Sequence, residues 1–111
     1  MIISTLFGSE TAEKALLYIE NYGSGYPRGI AKTFGLAVGQ VQKQLEKFEL
    51  EGILSSRLVG RTRVYVWHPR CFYLLELRGI LAKSLLHLPS SILDQFFRQR
   101  TRPRRKGKPV P

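Results

Sequence analysis

Cysteine occurs once in the 111 residues, as Cys71, so no disulfide can form within the chain. A lone thiol fits a reducing compartment, and the cytoplasm is the expected location. Histidine occurs twice, as His68 and His87. His68 and Cys71 could supply two ligands, short of a tetrahedral site unless a second copy completed it, so no metal is expected. Arg70 and a helix start would favour the Cys71 thiolate, which leaves a thiol switch open beside the plainer role of a small apolar side chain. Long apolar runs are also missing. Residues 1–7 lack the basic flank and the length of a signal peptide, and the most apolar stretch, 71–88, is broken by Glu76, Arg78 and Lys83. Neither a leader nor a membrane span is expected. No carboxylate pair, nucleophile elbow or phosphate-binding glycine loop stands out, so neither catalysis nor a cofactor is expected.

What the chain has in excess is positive charge. Lys and Arg number 18 against 8 acids, for a net charge of +10 and an isoelectric point near 10.3, which suits a polyanionic partner such as nucleic acid or an anionic membrane surface. The excess is uneven. Residues 1–97 hold all 8 acids and 11 of the bases, whereas 98–111 hold the other 7 bases and no acid. That last segment has three prolines and only Val110 as an aliphatic side chain, too little to offset the entropy of ordering it, so it is expected to be disordered. Residues 1–97 are expected to form the folded domain.

Periodicity divides the domain into helices and one hairpin. Ser9 is a candidate N-cap before Glu10 and Glu13, and Ala12, Ala15, Leu16 and Ile19 recur at helical spacing, predicting a helix over about 10–22. Asn21 to Gly25 is turn chemistry. Pro27 then opens a short helix to about Phe34, stopped by Gly35, and a longer one runs from Val38 through Val41, Leu45 and Phe48 to Gly52. Residues 54–59 and 62–67 flank Gly60-Arg61 and read as a hairpin. A further helix is predicted over about 70–88. A short last one carries Ile92, Leu93, Phe96 and Phe97, with Ser91 and Asp94 as a capping pair.

The order helix, short helix, turn, longer helix, hairpin, helix resembles a winged helix-turn-helix. The run Ile30-Ala31-Lys32-Thr33-Phe34-Gly35-Leu36-Ala37, followed by Val41, Leu45, Phe48 and Gly52-Ile53-Leu54, is similar to the ArsR/MarR-like branch of transcriptional regulators. The resemblance covers about 10–70. In it, a small Ala31 lets two helices cross closely, Gly35 closes the first, and Leu36 and Val41 fill the angle between them. The chain departs from the family at Ala37, where a capping Ser or Thr is usual.

The resemblance implies a mainly α fold with a small β-hairpin wing (winged helix-turn-helix), to which the residues beyond it add C-terminal helices and a basic tail. It implies a regulator that binds double-stranded DNA and acts as a repressor, with the recognition helix in the major groove; a homodimer is expected from the wide apolar arc of the helix at 70–88. The matching positions are Gln40, Gln42, Lys43 and Lys47 on that helix and Arg57, Arg61 and Arg63 on the wing. Gln can pair with adenine, Lys with guanine or phosphate, and Arg can enter a narrow minor groove. Arg102, Arg104, Arg105 and Lys106 of the tail would add phosphate contacts.

The helix at 70–88 has an apolar arc too wide for one buried side. Leu74, Leu77, Leu81 and Leu85 are expected at a dimer interface, unless Ile92, Leu93, Phe96 and Phe97 fold back over the second apolar side. A protein-interaction adaptor and an RNA-binding tail remain alternative readings, because a fold does not settle a function.

Overall fold

The computed structural model describes Met1 and residues 3–99, which form helices α1 (Ser4–Phe7), α2 (Glu10–Tyr22), α3 (Pro27–Phe34) and α4 (Val38–Leu50), strands β1 (Leu54–Val59) and β2 (Thr62–Trp67), then helices α5 (Leu74–Leu86) and α6 (Ser90–Ile92) with a π-helical turn over Leu93–Phe97. The disorder expected of the tail, and the assignments to Arg102, Arg104, Arg105 and Lys106, lie outside the described residues. No helix among the described residues is long and apolar enough to cross a membrane.

Helix α2 is the centre of the core. Ser9 caps it through a hydroxyl that accepts the Ala12 N–H at 3.1 Å. Ala12, Ala15, Leu16, Leu17, Tyr18 and Ile19 are all buried, so the helix is covered on most of its circumference rather than on one stripe. Glu13 is buried too, and its carboxylate accepts the Ile3 N–H at 2.9 Å, tying the N-terminal segment down. Ile30 and Ala31 of α3, Val41, Leu45 and Phe48 of α4, Leu54 and Tyr65 of the hairpin, and Leu77 and Leu81 of α5 close around α2.

The hairpin is antiparallel, with Leu54 opposite Trp67, Ser56 opposite Tyr65 and Val59 opposite Thr62. A second pairing fastens it to the body: Gly25 and Tyr65 exchange backbone hydrogen bonds of 3.0 and 2.8 Å. Gly25 has no room for a side chain, since a Cβ there would stand 2.9 Å from Ile30 Cδ1 and 3.1 Å from the Tyr18 ring.

Three expectations need correction. The helix after the hairpin begins at Leu74 rather than near residue 70, because His68, Cys71 and Leu74 make successive i→i+3 turns. It ends at Leu86, since Leu88 precedes Pro89 and a residue before proline avoids helical geometry. The last helix starts at Ser90 behind Pro89 with no side-chain cap, so Ser91 and Asp94 are not a capping pair.

The C-terminal aromatics do not cover the second apolar side of α5. They pack on α3 and the end of α2 instead: Phe96 and Phe97 lie 5.1 and 5.8 Å from the Phe34 ring centroid, the Tyr22 hydroxyl donates to Phe96 O and Asn21 Nδ2 donates to Phe97 O, both at 2.7 Å. Gln99 joins them, its side-chain amide donating to Thr33 Oγ1 at 2.6 Å, so folded contacts run two residues past the expected domain end at 97.

Candidate nucleic-acid interface

Helices α3 and α4 are joined by three residues whose conformation follows from their chemistry. Gly35 takes the left-handed φ of 69° that ends α3. The next amide, Leu36 N–H, bonds back to Ala31 O at 2.9 Å. Ala31 and Val41 are buried and Leu36 is partly so, filling the angle between the two helices. Ala37 starts α4 without a side-chain cap, and no acid stands in its first turn. The N-terminal amides of α4 and the positive end of its dipole therefore face outward unopposed by local carboxylates.

Along α4, the inward positions are Val41, Leu45 and Phe48, and Gln40, Gln42, Lys43 and Lys47 are all exposed. They are not equally free. The Gln42 amide donates to Glu46 Oε2 at 3.1 Å, one turn along, whereas Lys43 and Lys47 form no ion pair among the described residues.

The wing separates its three arginines. Cross-strand partners share a face and neighbours alternate, so Ser56, Tyr65, Leu58 and Arg63 lie on one side while Arg57 and Val64 lie on the other. Arg63 Nη1 donates to Ser56 Oγ at 2.9 Å, and that hydroxyl donates to Glu49 Oε2 of α4 at 2.7 Å. This chain ties the wing to the end of α4 and partly offsets the Arg63 charge. Beneath it the Tyr65 hydroxyl is pushed above its ordinary value of 10.0, mainly by burial, then by the Glu49 and Glu46 carboxylates, against the opposing pull of Arg63. Arg57 and Arg61 are exposed and make no ion pair among the described residues.

Two cations escaped the sequence reading. Arg28 and Lys32 are exposed one turn apart on α3. The Tyr26 ring lies against Gly29 between them, so closely that a Cβ at Gly29 would meet it at 2.8 Å. The signal was available as two bases at i, i+4 on the helix preceding the recognition helix.

The dimer assignment on α5 divides. Leu77 and Leu81 are 8% and 0% exposed within the single chain, so they belong to its own core and cannot face a second copy. Leu74 and Leu85 are half-buried beside them. The uncovered apolar side is a different one, carrying Leu75 and Leu86 at 82% and 83% exposure, and Phe72 just before the helix is 92% exposed.

Neither a protein-family model nor a curated sequence matches the chain. Solved structures do. A MarR-family transcriptional regulator from Rhodococcus sp. aligns over 77% of this chain and 65% of its own at 18% identity with a TM-score of 0.50. Lactococcus lactis ZitR aligns over 79% and 62% at 13% identity with a TM-score of 0.55, and the adhesin competence repressor AdcR of Streptococcus pyogenes over 79% and 67% at 13% identity with a TM-score of 0.54. The chain thus spans about two thirds of the length of these proteins, and the likeness establishes a winged helix-turn-helix fold.

Proposed function

We propose that this protein is a cytoplasmic regulator of transcription that binds double-stranded DNA as a homodimer and represses by occupying its site. One observation carries the reading. Lys43 and Lys47 of α4, Arg28 and Lys32 of α3, and Arg57 and Arg61 of the wing are exposed and free of carboxylate partners among the described residues, on a fold shared with proteins named as a transcriptional regulator and a repressor.

In this reading α4 lies in the major groove. Gln40 and Lys43 meet base edges, Lys47 meets the backbone, and Gln42 reaches DNA only by leaving Glu46. Arg28 and Lys32 meet the phosphates flanking the groove, and Arg61 at the wing tip enters or edges the neighbouring minor groove. Arg57 tracks the backbone, and Arg63 serves chiefly to hold the wing against α4. The tail residues Arg102, Arg104, Arg105 and Lys106 add sequence-independent phosphate contacts.

The test is fluorescence anisotropy of the full-length protein against duplex DNA from the upstream region of its own gene and a scrambled duplex, at two salt concentrations. Preference for the upstream duplex is expected. Lys43→Ala and Arg61→Ala should each weaken binding, and unchanged affinity in both would remove the recognition surface assigned here. Repression predicts that the same variants raise expression of a reporter placed behind that upstream region.

A further inference from the structure

We propose that the chain beyond Gln99 is an arm that enters an A·T-rich minor groove beside the site read by α4, with Arg100, Arg102, Arg104 and Arg105 as its groove-reading side chains. The described residues fix where the arm begins. Phe96 and Phe97 pack on Phe34 of α3, the Gln99 N–H donates to the Tyr22 hydroxyl at 3.2 Å, and the Gln99 side-chain amide donates to Thr33 Oγ1 at 2.6 Å. Arg98 is held by Asp94. The arm therefore starts at Arg100, beside the residue of α3 that follows Lys32.

Reach follows from that root. Arg28 and Lys32, the two exposed cations of α3, lie within about 8 Å of Thr33 along the helix axis. Residues 100–111 number twelve, and a proline-rich extended chain covers about 3.1 Å per residue, so on the order of 37 Å is at hand. That is about three times the length of α3. The arm can pass the phosphates that Arg28 and Lys32 meet and continue along the neighbouring groove.

Side-chain chemistry selects the groove. Pro103 and Pro109 hold Arg102 and Lys108 out of helical geometry, so the arm is unsuited to reading the major groove as a helix. An extended chain with Gly107 among its cations is slim enough for a minor groove about 6 Å wide. Runs of A·T pairs narrow that groove and deepen its negative potential, which draws arginine in. Six of the twelve residues are cations, four of them Arg, and none is acidic. A guanidinium is more weakly hydrated than an ammonium, an advantage inside a groove that is not needed at an open phosphate. The arm has no aromatic residue to stack on the bases of a single strand, so duplex DNA suits it better than RNA.

The inference rests on the duplex-DNA reading and adds a base preference to its phosphate contacts, so the test varies the core of the DNA site and its flanks separately. Full-length protein is titrated by fluorescence anisotropy against duplexes with the upstream or a scrambled core, each flanked by A·T, inosine·C or G·C pairs. Inosine lacks the amino group that guanine sets in the minor groove, so inosine·C imitates A·T there while matching G·C in the major groove. Flanks of A·T and inosine·C should bind alike, and G·C flanks about tenfold more weakly. Arg100→Lys, Arg102→Lys, Arg104→Lys and Arg105→Lys combined keep the charge. That chain should bind A·T flanks only as well as G·C flanks, with its salt slope unchanged. Equal affinity for all three flanks, inosine·C ranking with G·C, a preference that survives the four Lys replacements, or tighter binding to single-stranded RNA would overturn the proposal. Core preference without flank preference would remove the arm and leave the α4 reading standing, whereas flank preference without core preference would do the reverse. No duplex binding at all would overturn both.

Discussion

Helices α4 and α5 are each 13 residues long and each turns one side to the same core, yet their outer sides are chemical opposites. The outer side of α4 is polar and carries Gln40, Lys43 and Lys47, while that of α5 carries Leu75 and Leu86, with Phe72 exposed just before the helix. Identical local geometry has thus been put to two uses. Water solvates the first face without penalty until a polyanion displaces it, whereas the second loses free energy to water for as long as it stands uncovered. The contrast teaches that helical periodicity shows how many faces are apolar, but only packing shows which of them the chain covers itself.

The two sides of α5 give the strongest test of that contrast. Leu81→Ala should cost about 2–5 kcal/mol of unfolding free energy in urea melts, because it opens a cavity in the core. Leu75→Ala, on the same helix, should change the unfolding of the monomer by no more than about 0.5 kcal/mol. Comparable losses from both would mean that the outer side is not free.

On α4 and the wing the expected effect is on binding rather than folding. Lys43→Ala and Arg61→Ala should each weaken duplex binding by about 1–3 kcal/mol and lower the salt slope by about one unit, with unfolding midpoints unchanged. Ser56→Ala removes the hydroxyl joining Arg63 to Glu49 and should cost about 1 kcal/mol of stability, read by urea melts. It should also weaken binding less than Arg61→Ala does, because it loosens the wing without removing a cation.

Alkaline pH probes the junction between the two regions. The Tyr65 hydroxyl is raised above 10.0 in the folded chain, so the folded state resists its ionisation. Its contribution is fully present below pH 10 and is lost as the pH rises through the folded value. Urea midpoints should therefore hold level up to about pH 10 and fall beyond it, and Tyr65→Phe should flatten that fall. An effect of the opposite sign is expected at Gly79, where a Cβ would meet nothing within 4 Å: Gly79→Ala should stabilise the folded chain by up to about 1 kcal/mol.

Much of the fold was legible because its signals are local. Ser9 and Gly23 bracket α2, Pro27 and Gly35 bracket α3, and Gly60-Arg61 joins β1 to β2, each at the residue that backbone chemistry favours. The exposure of Gln40, Lys43, Lys47, Arg57 and Arg61 followed from the same periodicity. What escaped depends on contacts distant in sequence. Gly25 pairs with Tyr65, Arg63 reaches Glu49 through Ser56, and Phe96 seats on Phe34. None of these distant partners is marked by any pattern near its own position.

The amino-acid sequence by itself determined the order and length of the central helices, the hairpin and the polar face of α4, since each depends on residues a few positions apart. Tertiary structure decided which leucines of α5 are core and which stand in water. An arc as apolar as that of α5 offers two sides of similar hydrophobicity. The choice between them falls to the close fit of Leu77 and Leu81 against α2, a property of assembled surfaces rather than of either helix alone.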